Sequence, residues 1–422
     1  MASIPNGPHN GPDQRLQGAL GHIRVLDLSR VLAGPWCSQN LADLGADVIK
    51  IERPGAGDDT RAWGPPYAPD ASGQPTTEAA YYLSANRGKR SLTVDIAAEQ
   101  GQALLRELVR HCDVVLENFK VGHLKRYGLD YAALKAIKPD LVYCSITGFG
   151  QDGPYAHRAG YDFLIQGMGG LMSVTGERDD LPGGGPQKVG VALTDIMTGM
   201  YATVAVLAAL THRDRTGEGQ HIDMALLDTQ VAMLANVGSN YLNSGKRPKR
   251  WGNAHANIVP YQTFACSDGH LIVAAGNDGQ YRKFVEAGGR PELARDPRFA
   301  TNPLRVQNRD VLVPLLADMV RLQPRDAWIA MLEAVGVPCG PINDLDEVFA
   351  NEQVRARGME IALPHPTAGN VKLVRSPMRM SATPATSGLA PPLLGEHTIE
   401  VLRDVLGKSA EDIAALRADG IV

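Results

Sequence analysis

Cysteine is scarce in this sequence, and the cysteines that it has are scattered. No two of them form a CxxC pair, and no histidines cluster at metal-ligand spacing. The five cysteines are Cys37, Cys112, Cys144, Cys266 and Cys339. This pattern excludes the disulfide framework of small secreted domains and contains no zinc motif, so we expect no bound metal and a reducing, cytoplasmic compartment.

A strong charge of one sign and a long hydrophobic run are missing as well. The formal net charge of −4 gives no general attraction to nucleic acid or to an anionic membrane, so neither is expected as a partner. The longest apolar run, around residues 200–210, is shorter than the ~20 residues that a membrane span needs. Residues 1–20 are rich in Pro, Gly and Asn and lack an apolar signal region, so we interpret them as a mobile leader.

What the sequence does contain is a regular alternation of strand and helix patterns. It begins with HIRVLDLS, AGPWCSQNLADLGA and DVIKIERP, which read as a βαβ unit, and it continues well beyond them. A chain of 422 residues is long enough for two domains. We therefore predict a large α/β domain with a Rossmann-like, doubly wound sheet over 21–225, a linker over 226–260, a smaller α+β domain over 261–340, and a second linker with a return to the large domain over 341–422.

The glycine-rich phosphate loop of dinucleotide-binding proteins is also missing. The turn after VLDLS reads RVLAGPW, with Gly34 alone where GxGxxG has three glycines, so a Rossmann dehydrogenase is disfavoured. Arg30 and a helix start near Pro35 nevertheless suit a phosphate. The cations around the strand ends have two interpretations. They bind a polyphosphate ligand at the carboxyl edge of the sheet, or they are solvated surface charges. The further cations in question are Arg53, Lys89, Arg90 and Arg126.

One aspartate lies in the apolar stretch VGVALTDIMTGMYATVAVLAAL, residues 189–210. An ionised carboxylate costs several kcal/mol, as an order of magnitude, to bury without partners, so something must compensate for Asp195. Thr194 or Asp195 caps a helix in one interpretation. In the other, Asp195 is a nucleophile, and Gly190 and Gly199 leave room for a ligand beside it.

Several blocks, in order along residues 22–422, resemble the class III CoA-transferases of the formyl-CoA transferase and CaiB type. The blocks are RVLAGPW, IKIERPGAGDDTR, YYLSANRGKRSL, VVLENF, SITGFGQDGPYAHRAGYD, VALTDIMTGM, GVPCGPIND and PPLLGEHT. Within that family, GDDTRAWGPPY and KRWGNAHANIVPYQTF are most similar to the transferases that act on succinate and hydroxymethylglutarate.

The resemblance implies a chemistry in which Asp195 is the nucleophile. Its carboxylate would form an acyl anhydride and then an aspartyl-CoA thioester, so the exchange needs no ATP, no metal and no permanently bound cofactor, and the coenzyme A thioester is a substrate. Tyr161 falls on a family active-site tyrosine. Leu32 replaces a glutamine of formyl-CoA transferase, which argues against formate and oxalate as substrates. The CoA-binding residues are expected to be Arg30, Ala33, Arg53, Val94, Ile96, Asn118, Phe119 and Arg126.

The acid substrates are less specified. The favoured pair is succinyl-CoA as donor with glutarate or hydroxymethylglutarate as acceptor. Itaconate, mesaconate, citramalate and malate remain alternative substrates. Arg250 and His255 would bind a second carboxylate, unless His255 only makes a hydrogen bond within its loop. Residues 167–170 (GMGG) and the RWGNAH loop are candidate sites for the oxyanion of the tetrahedral intermediate.

Two other functions remain open at this stage. One is 2-methylacyl-CoA racemisation, in which relatives use the histidine of AGHD. This chain has AGYD, and Tyr161 is a poor base at neutral pH because the reference pKa of tyrosine is roughly 10. The other is non-catalytic binding of acyl-CoA. The resemblance also implies an interlocked homodimer. Acyl-CoA and small carboxylic acids are the only other partners that we expect.

Overall fold

The chain divides into two units in a computed structural model that describes residues 18–385 and 388–422. The first unit comprises the chain as far as Gly170, Val189–Gly238 and Gln353–Val422, and the second comprises Leu171–Lys188 and Ser239–Glu352. The second unit is therefore wider than the 261–340 expected for the small domain, and it takes a segment from within 21–225. Most of the leader expected at 1–20 lies outside the described residues.

The helices and strands of the described residues follow in chain order. The strands are β1 Arg24–Asp27, β2 Asp47–Glu52, β3 Tyr67–Pro69, β4 Pro75–Ala79, β5 Lys89–Thr93, β6 Val114–Glu117, β7 Val142–Thr147, β8 His221–Ala225, β9 Tyr261–Ala265, β10 His270–Ala274, β11 Cys339–Gly340, β12 Glu360–His365 and β13 Gly369–Val374. The α-helices are α1 Ala33–Asp43, α2 Ala80–Ser84, α3 Glu99–Val109, α4 Tyr131–Ile137, α5 Asp162–Met168, α6 Leu171–Val174, α7 Leu193–Thr216, α8 Leu226–Ala232, α9 Ala235–Ser244, α10 Asp278–Ala287, α11 Pro291–Arg295, α12 Asn302–Gln307, α13 Arg309–Val320, α14 Arg325–Ala334, α15 Leu345–Ala350, α16 Glu352–Ala356, α17 Thr398–Asp404 and α18 Ala410–Ala418.

A six-stranded sheet forms the centre of the first unit. Its strand order is β5-β2-β1-β6-β7-β8, and every neighbouring pair is parallel. Numbered along the chain within this sheet, the order is 3-2-1-4-5-6, which is the Rossmann order. The prediction of a doubly wound, Rossmann-like sheet is confirmed. The order reverses between β1 and β6, and the carboxyl ends at such a reversal are where open α/β sheets bind ligands.

The strands of this sheet are apolar on both faces because helices cover both. Successive side chains of a strand point to opposite faces. Val25 of β1 and Val48 of β2 pack with α1 and α7, whereas Leu26 and Ile49 pack with α3, α17 and α18. This double burial explains the continuous apolar strand segments of the sequence.

Helix α7 is the longest helix of the first unit. It has 24 residues, and the apolar run expected at 200–210 lies inside it. By length and composition alone α7 is long and apolar enough to cross a membrane, which the apolar run had not predicted. Half of its most apolar window is buried within the protein, where α7 packs against α1, and core helices of soluble proteins pass the same test.

The second unit has a small antiparallel sheet of order β11-β10-β9 covered by helices. The β9–β10 hairpin turns at residues 267–269, where the Cys266 N–H donates to the Gly269 carbonyl at 2.8 Å. Trp328 of α14 and Phe284 of α10 are fully buried in its core. This unit is a mixed α and β fold, as expected for the smaller domain.

Candidate active site

A cavity of about 690 Å³ opens at the switch point of the six-stranded sheet. Its walls are the segments that follow β1, β2, β5, β6 and β7, together with the first turn of α7. All of these segments belong to the first unit. Parallel strands bring their carboxyl ends to one edge, so side chains far apart in sequence meet here.

The turn between β1 and α1 forms one wall in a strained conformation. Val31 has a φ of 71°, a left-handed backbone that costs a β-branched residue on the order of 1–3 kcal/mol. Neighbouring segments hold the turn in place. Asn118 donates its Nδ2 to the Arg30 carbonyl at 2.7 Å and accepts the Arg30 N–H at 2.9 Å, and the Asp58 carboxylate accepts the Val31 N–H at 3.2 Å.

A buried ion pair beneath the cavity fixes Asp58. The Lys50 ammonium lies 2.8 Å from the Asp58 carboxylate, and both side chains are fully buried. Burial by itself raises the pKa of Asp58, but the Lys50 charge and hydrogen bonds from Lys50 and Thr60 outweigh it and lower that pKa to about 2. Asp58 therefore stays ionised and keeps its bond to the strained turn.

Aromatic and cationic side chains lie together beside that turn. The Arg30 guanidinium is 5.4 Å from the centre of the Phe119 ring and 3.1 Å from the exposed Asp59 carboxylate. Phe119 stacks on His123 with 5.4 Å between ring centres, and its N–H donates to the Glu117 carboxylate at 2.8 Å. Such a platform offers a flat apolar face with a positive charge above it.

Asp195 lies at the third position of α7 and lines the cavity. The residue that precedes the helix is Ala192, whose side chain cannot cap it. The interpretation that Thr194 or Asp195 caps the helix is wrong. Asp162 caps the helix from α5 instead, accepting the N–H groups of Thr194 at 2.8 Å and Asp195 at 3.3 Å. The sequence could not show this cap, because Asp162 is 33 residues away along the chain.

The Asp162 carboxylate is held in turn by a fully buried glutamine. Gln166 Nε2 donates to Asp162 Oδ2 at 2.7 Å, and its Oε1 accepts the Val189 N–H at 2.9 Å. The chain that enters α7 is thus tied to α5 from two sides. Asp195 is positioned by these contacts.

Burial raises the pKa of Asp195 to about 7, and repulsion from the Asp162 carboxylate adds to the rise. At pH 7 about half of the Asp195 side chains are therefore ionised, and the ionised form is a more basic nucleophile than an ordinary aspartate carboxylate. Acylation makes Asp195 neutral and relieves both penalties. The arrangement suits a carboxylate that forms acyl intermediates.

No group of three or more His, Cys, Asp or Glu side chains within residues 18–385 and 388–422 is arranged to hold a metal ion. The chain matches the model of CoA-transferase family III over residues 20–398. The chain belongs to this family. It is therefore a CoA-transferase, and a CoA thioester is its substrate.

Relatives of known name cover most of the chain. It is 52% identical over 387 residues to the succinate–glutarate CoA-transferase of Agrobacterium fabrum, covering 92% of this chain and 95% of that protein. It is 44% identical over 400 residues to the succinyl-CoA:glutarate CoA-transferase of Homo sapiens, covering 95% of this chain and 89% of that protein. A solved CaiB/BaiF family protein from Brucella suis is 52% identical, with a TM-score of 0.81 and coverage of 92% of this chain and all of that chain.

The cavity of this family III transferase brings together most of the residues singled out from the sequence. Tyr161 is 67% exposed at its rim, and Gly148 and Gly160 line it, whereas residues 167–170 are not among its described lining. The singled-out residues that line it are Arg30, Leu32, Ala33, Arg53, Val94, Ile96, Asn118, Phe119, Tyr161 and Asp195.

Three of the expected cations lie elsewhere. Arg126 is exposed in the turn Leu124–Tyr127 and is not among the described residues that line the cavity. Lys89 and Arg90 lie at the amino end of β5, away from the carboxyl edge of the sheet. The expectation that they line the ligand site is therefore wrong. Lys89 is fully buried and lies 3.3 Å from Asp27, and Arg90 pairs with Asp47.

The two residues expected to bind a second carboxylate belong to the second unit. Arg250 donates Nη1 to the Ser173 carbonyl at 3.1 Å and pairs through Nη2 with Asp179. His255 accepts the Asn257 N–H at Nδ1, at 3.0 Å, which is the loop hydrogen bond left open as the alternative. Both side chains thus have partners within their own unit.

Sequence reasoning missed Asp58, Asp162 and Arg158 as residues of the site. Arg158 lines the cavity and lies 4.6 Å from the Tyr155 ring centre. The only available signal was the clustering of charged residues within GAGDDTR, which follows β2, and within HRAGYD, which leads into α5.

Proposed function

We propose that the protein transfers CoA between dicarboxylic acids, with succinyl-CoA as donor and glutarate or hydroxymethylglutarate as acceptor. The observation that carries the proposal is the Asp195 carboxylate, which stands in a family III cavity with its pKa raised toward neutrality. The choice of acids is supported by relatives at 44–52% identity whose names specify succinate or succinyl-CoA with glutarate.

The reaction would proceed by two covalent intermediates. An Asp195 carboxylate oxygen attacks the thioester carbonyl of succinyl-CoA, the carbon–sulfur bond breaks, and CoA leaves as a thiolate from a succinyl-aspartyl anhydride. The thiolate attacks the Asp195 carbonyl carbon and releases succinate, which leaves an aspartyl-CoA thioester. Glutarate repeats these steps in reverse, and Asp195 is regenerated as a carboxylate. Every intermediate is an activated acyl group, so no ATP is consumed.

The walls of the cavity suggest how CoA would be held. Arg30 and Arg53 are exposed at the ends of β1 and β2 and would bind phosphate groups, to which guanidinium forks are suited. Ala33, Val94 and Ile96 would contact the apolar parts of CoA. The aromatic platform of Phe119, next to Asn118, would pack against its base. We keep Arg126 as an outer phosphate contact.

We also propose that the transferase works as an interlocked homodimer in the cytoplasm. Exposed apolar side chains on α5, α7 and α8 support a protein partner, because water-exposed apolar patches of this kind commonly mark interfaces. They include Phe163, Leu164, Val204 and Val231. Sedimentation equilibrium that returns only the 45.2 kDa monomer at working concentration would contradict the dimer.

Covalent trapping tests the proposed function directly. The protein is incubated with succinyl-CoA, treated with hydroxylamine or borohydride, digested and analysed by mass spectrometry, beside the Asp195→Ala variant. We expect modification at Asp195 in the wild type alone, and glutaryl-CoA after addition of glutarate. Absence of an adduct and of exchange with any dicarboxylate would refute the proposal, and deuterium uptake at Cα of a 2-methylacyl-CoA would then identify a racemase.

A further inference from the structure

A second cavity, of about 450 Å³, lies entirely within the second unit. It is bordered by Glu177–Leu181, by the loop from Trp251 to Ala254, by β9 and by the first turns of α13. Its walls mix polar groups, such as Thr263, with the apolar side chains of Leu181 and Val313.

Arg309, the first residue of α13, borders this cavity and is only 7% exposed. Its Nη2 donates to the carbonyls of His255 at 2.9 Å and Ala256 at 2.8 Å, and its guanidinium lies 4.0 Å from the Trp251 ring centre. Its Nε and Nη1 are buried and have no hydrogen-bond partner in the part of the chain that the structure describes. Those two atoms carry three N–H groups, so more than half of the donors of this side chain are unused.

Among the residues that the structure describes, no carboxylate is paired directly with Arg309, although Glu177 and Asp310 border the same cavity. Burial lowers its pKa, and the effect of Asp310 does not offset this. Arg250 differs, because its end nitrogens already bond Ser173 and Asp179 and only its Nε lacks a partner.

Buried polar groups in proteins are nearly always satisfied, and an unpaired buried cation is especially costly. Unused donors on a cationic side chain that borders a cavity favour a ligand with oxygen acceptors and negative charge. Because polar and apolar side chains both line the cavity, we expect the ligand to have a short apolar part as well. A carboxylate on a short carbon chain meets both requirements.

We propose that Arg309 is the centre of a carboxylate-binding site in the second unit, which takes a short dicarboxylic acid such as glutarate. The choice of a dicarboxylic acid rests on the proposed function, whereas the anion site itself rests on Arg309. Arg309, and not Arg250, is then the residue of this unit that recognises the acid. The Trp251 ring reports occupancy because it stacks on the same guanidinium.

The test measures glutarate binding to the full chain by tryptophan fluorescence. It uses the Asp195→Ala background, so that turnover plays no part. We expect a saturable change that the Trp251→Phe variant lacks, that Arg309→Gln abolishes, and that the uncharged analogue glutaramide does not produce. Arg309→Lys should weaken binding by about tenfold or more, because lysine keeps the charge but loses the planar fork.

Each outcome bears on the proposal separately from the proposed function. A saturable Trp251 signal that survives Arg309→Gln, or that inorganic phosphate produces at lower concentration than glutarate, overturns the carboxylate site. No signal in any background also overturns it, even when succinyl-CoA still labels Asp195 in the otherwise wild-type chain. Conversely, glutarate binding at Arg309, with neither labelling of Asp195 nor exchange with any dicarboxylate, leaves the site standing and refutes the proposed function. Should Arg309→Gln fail to fold, Arg309→Lys and glutaramide carry the comparison.

Discussion

Replacing Asp195 by asparagine should stabilise the protein at alkaline pH while abolishing CoA transfer. Asparagine has nearly the same shape but cannot ionise, so it removes the charge without opening a cavity. The carboxylate has a pKa of about 7 in the folded protein and an ordinary value of 3.8. The folded state therefore holds the proton more tightly than the unfolded state, and wild-type stability is lost as pH rises from about 4 to about 7.

The size of the effect follows from this difference. Three pKa units correspond to about 4 kcal/mol, since each unit is worth about 1.4 kcal/mol. The helix dipole at the start of α7 favours the ionised form by only about 0.3–1 kcal/mol, so burial and the Asp162 charge prevail over it. At pH 8 the free energy of unfolding of the variant should exceed that of the wild type by about 4 kcal/mol. At pH 5 this excess should be about 3 kcal/mol smaller.

Urea unfolding at both pH values, followed by circular dichroism, measures the gain. Asp152→Asn is the matched control, because Asp152 is exposed and its carboxylate has no burial penalty to relieve. A gain of equal size at pH 5 and pH 8, or a loss at pH 8, would refute the argument that Asp195 is a destabilised, buried carboxylate. The penalty would then have to be absent or compensated by groups other than those described.

Three further substitutions probe the same cavity. Asp162→Asn removes the neighbouring charge but keeps an acceptor for the helix cap, so the pH midpoint for hydroxylamine trapping of Asp195 should fall below about 7; an unchanged midpoint would contradict the repulsion. Lys50→Met leaves the Asp58 carboxylate buried without its cation and should cost about 3–5 kcal/mol in urea unfolding, and adding Asp58→Asn should recover part of the loss. Gly199→Ala places a Cβ 2.6 Å from a backbone oxygen of α1, so we expect a loss of about 1–3 kcal/mol and weaker CoA binding, and a variant as stable as the wild type would show that α1 moves freely.

The strained turn explains why this chain can dispense with the glycine-rich loop. A GxGxxG turn reaches left-handed backbone through glycine, whereas Val31 reaches it because Asp58 and Asn118 hold the turn from outside. Gly34 has a different reason for being glycine. A Cβ there would lie 2.3 Å from the Ser29 side chain, so α1 could not begin so close to β1.

The errors made from the sequence share a physical cause. Lys89 and Arg90 were grouped with the ligand-binding cations because they adjoin a strand, but only the carboxyl end of a parallel strand reaches the ligand edge, and they form the amino end of β5. The cap of α7 was sought among its own residues, yet Asp162 of α5 provides it. Arg250 is expected from the sequence to bind a second carboxylate, and only the structure shows that its end nitrogens already bond Ser173 and Asp179, because hydrogen-bond partners are invisible in a sequence.

The sequence by itself determined the Rossmann-like alternation, the family, and the position of Asp195 within an apolar helix. These properties are local or repeated along the chain, since strand and helix periods and short motifs depend on neighbouring residues. Only the tertiary structure decided which charges are satisfied. It buried Lys50 against Asp58, set Asp162 beside Asp195, and left Arg309 with unused donors, because each of these depends on which distant segments pack together.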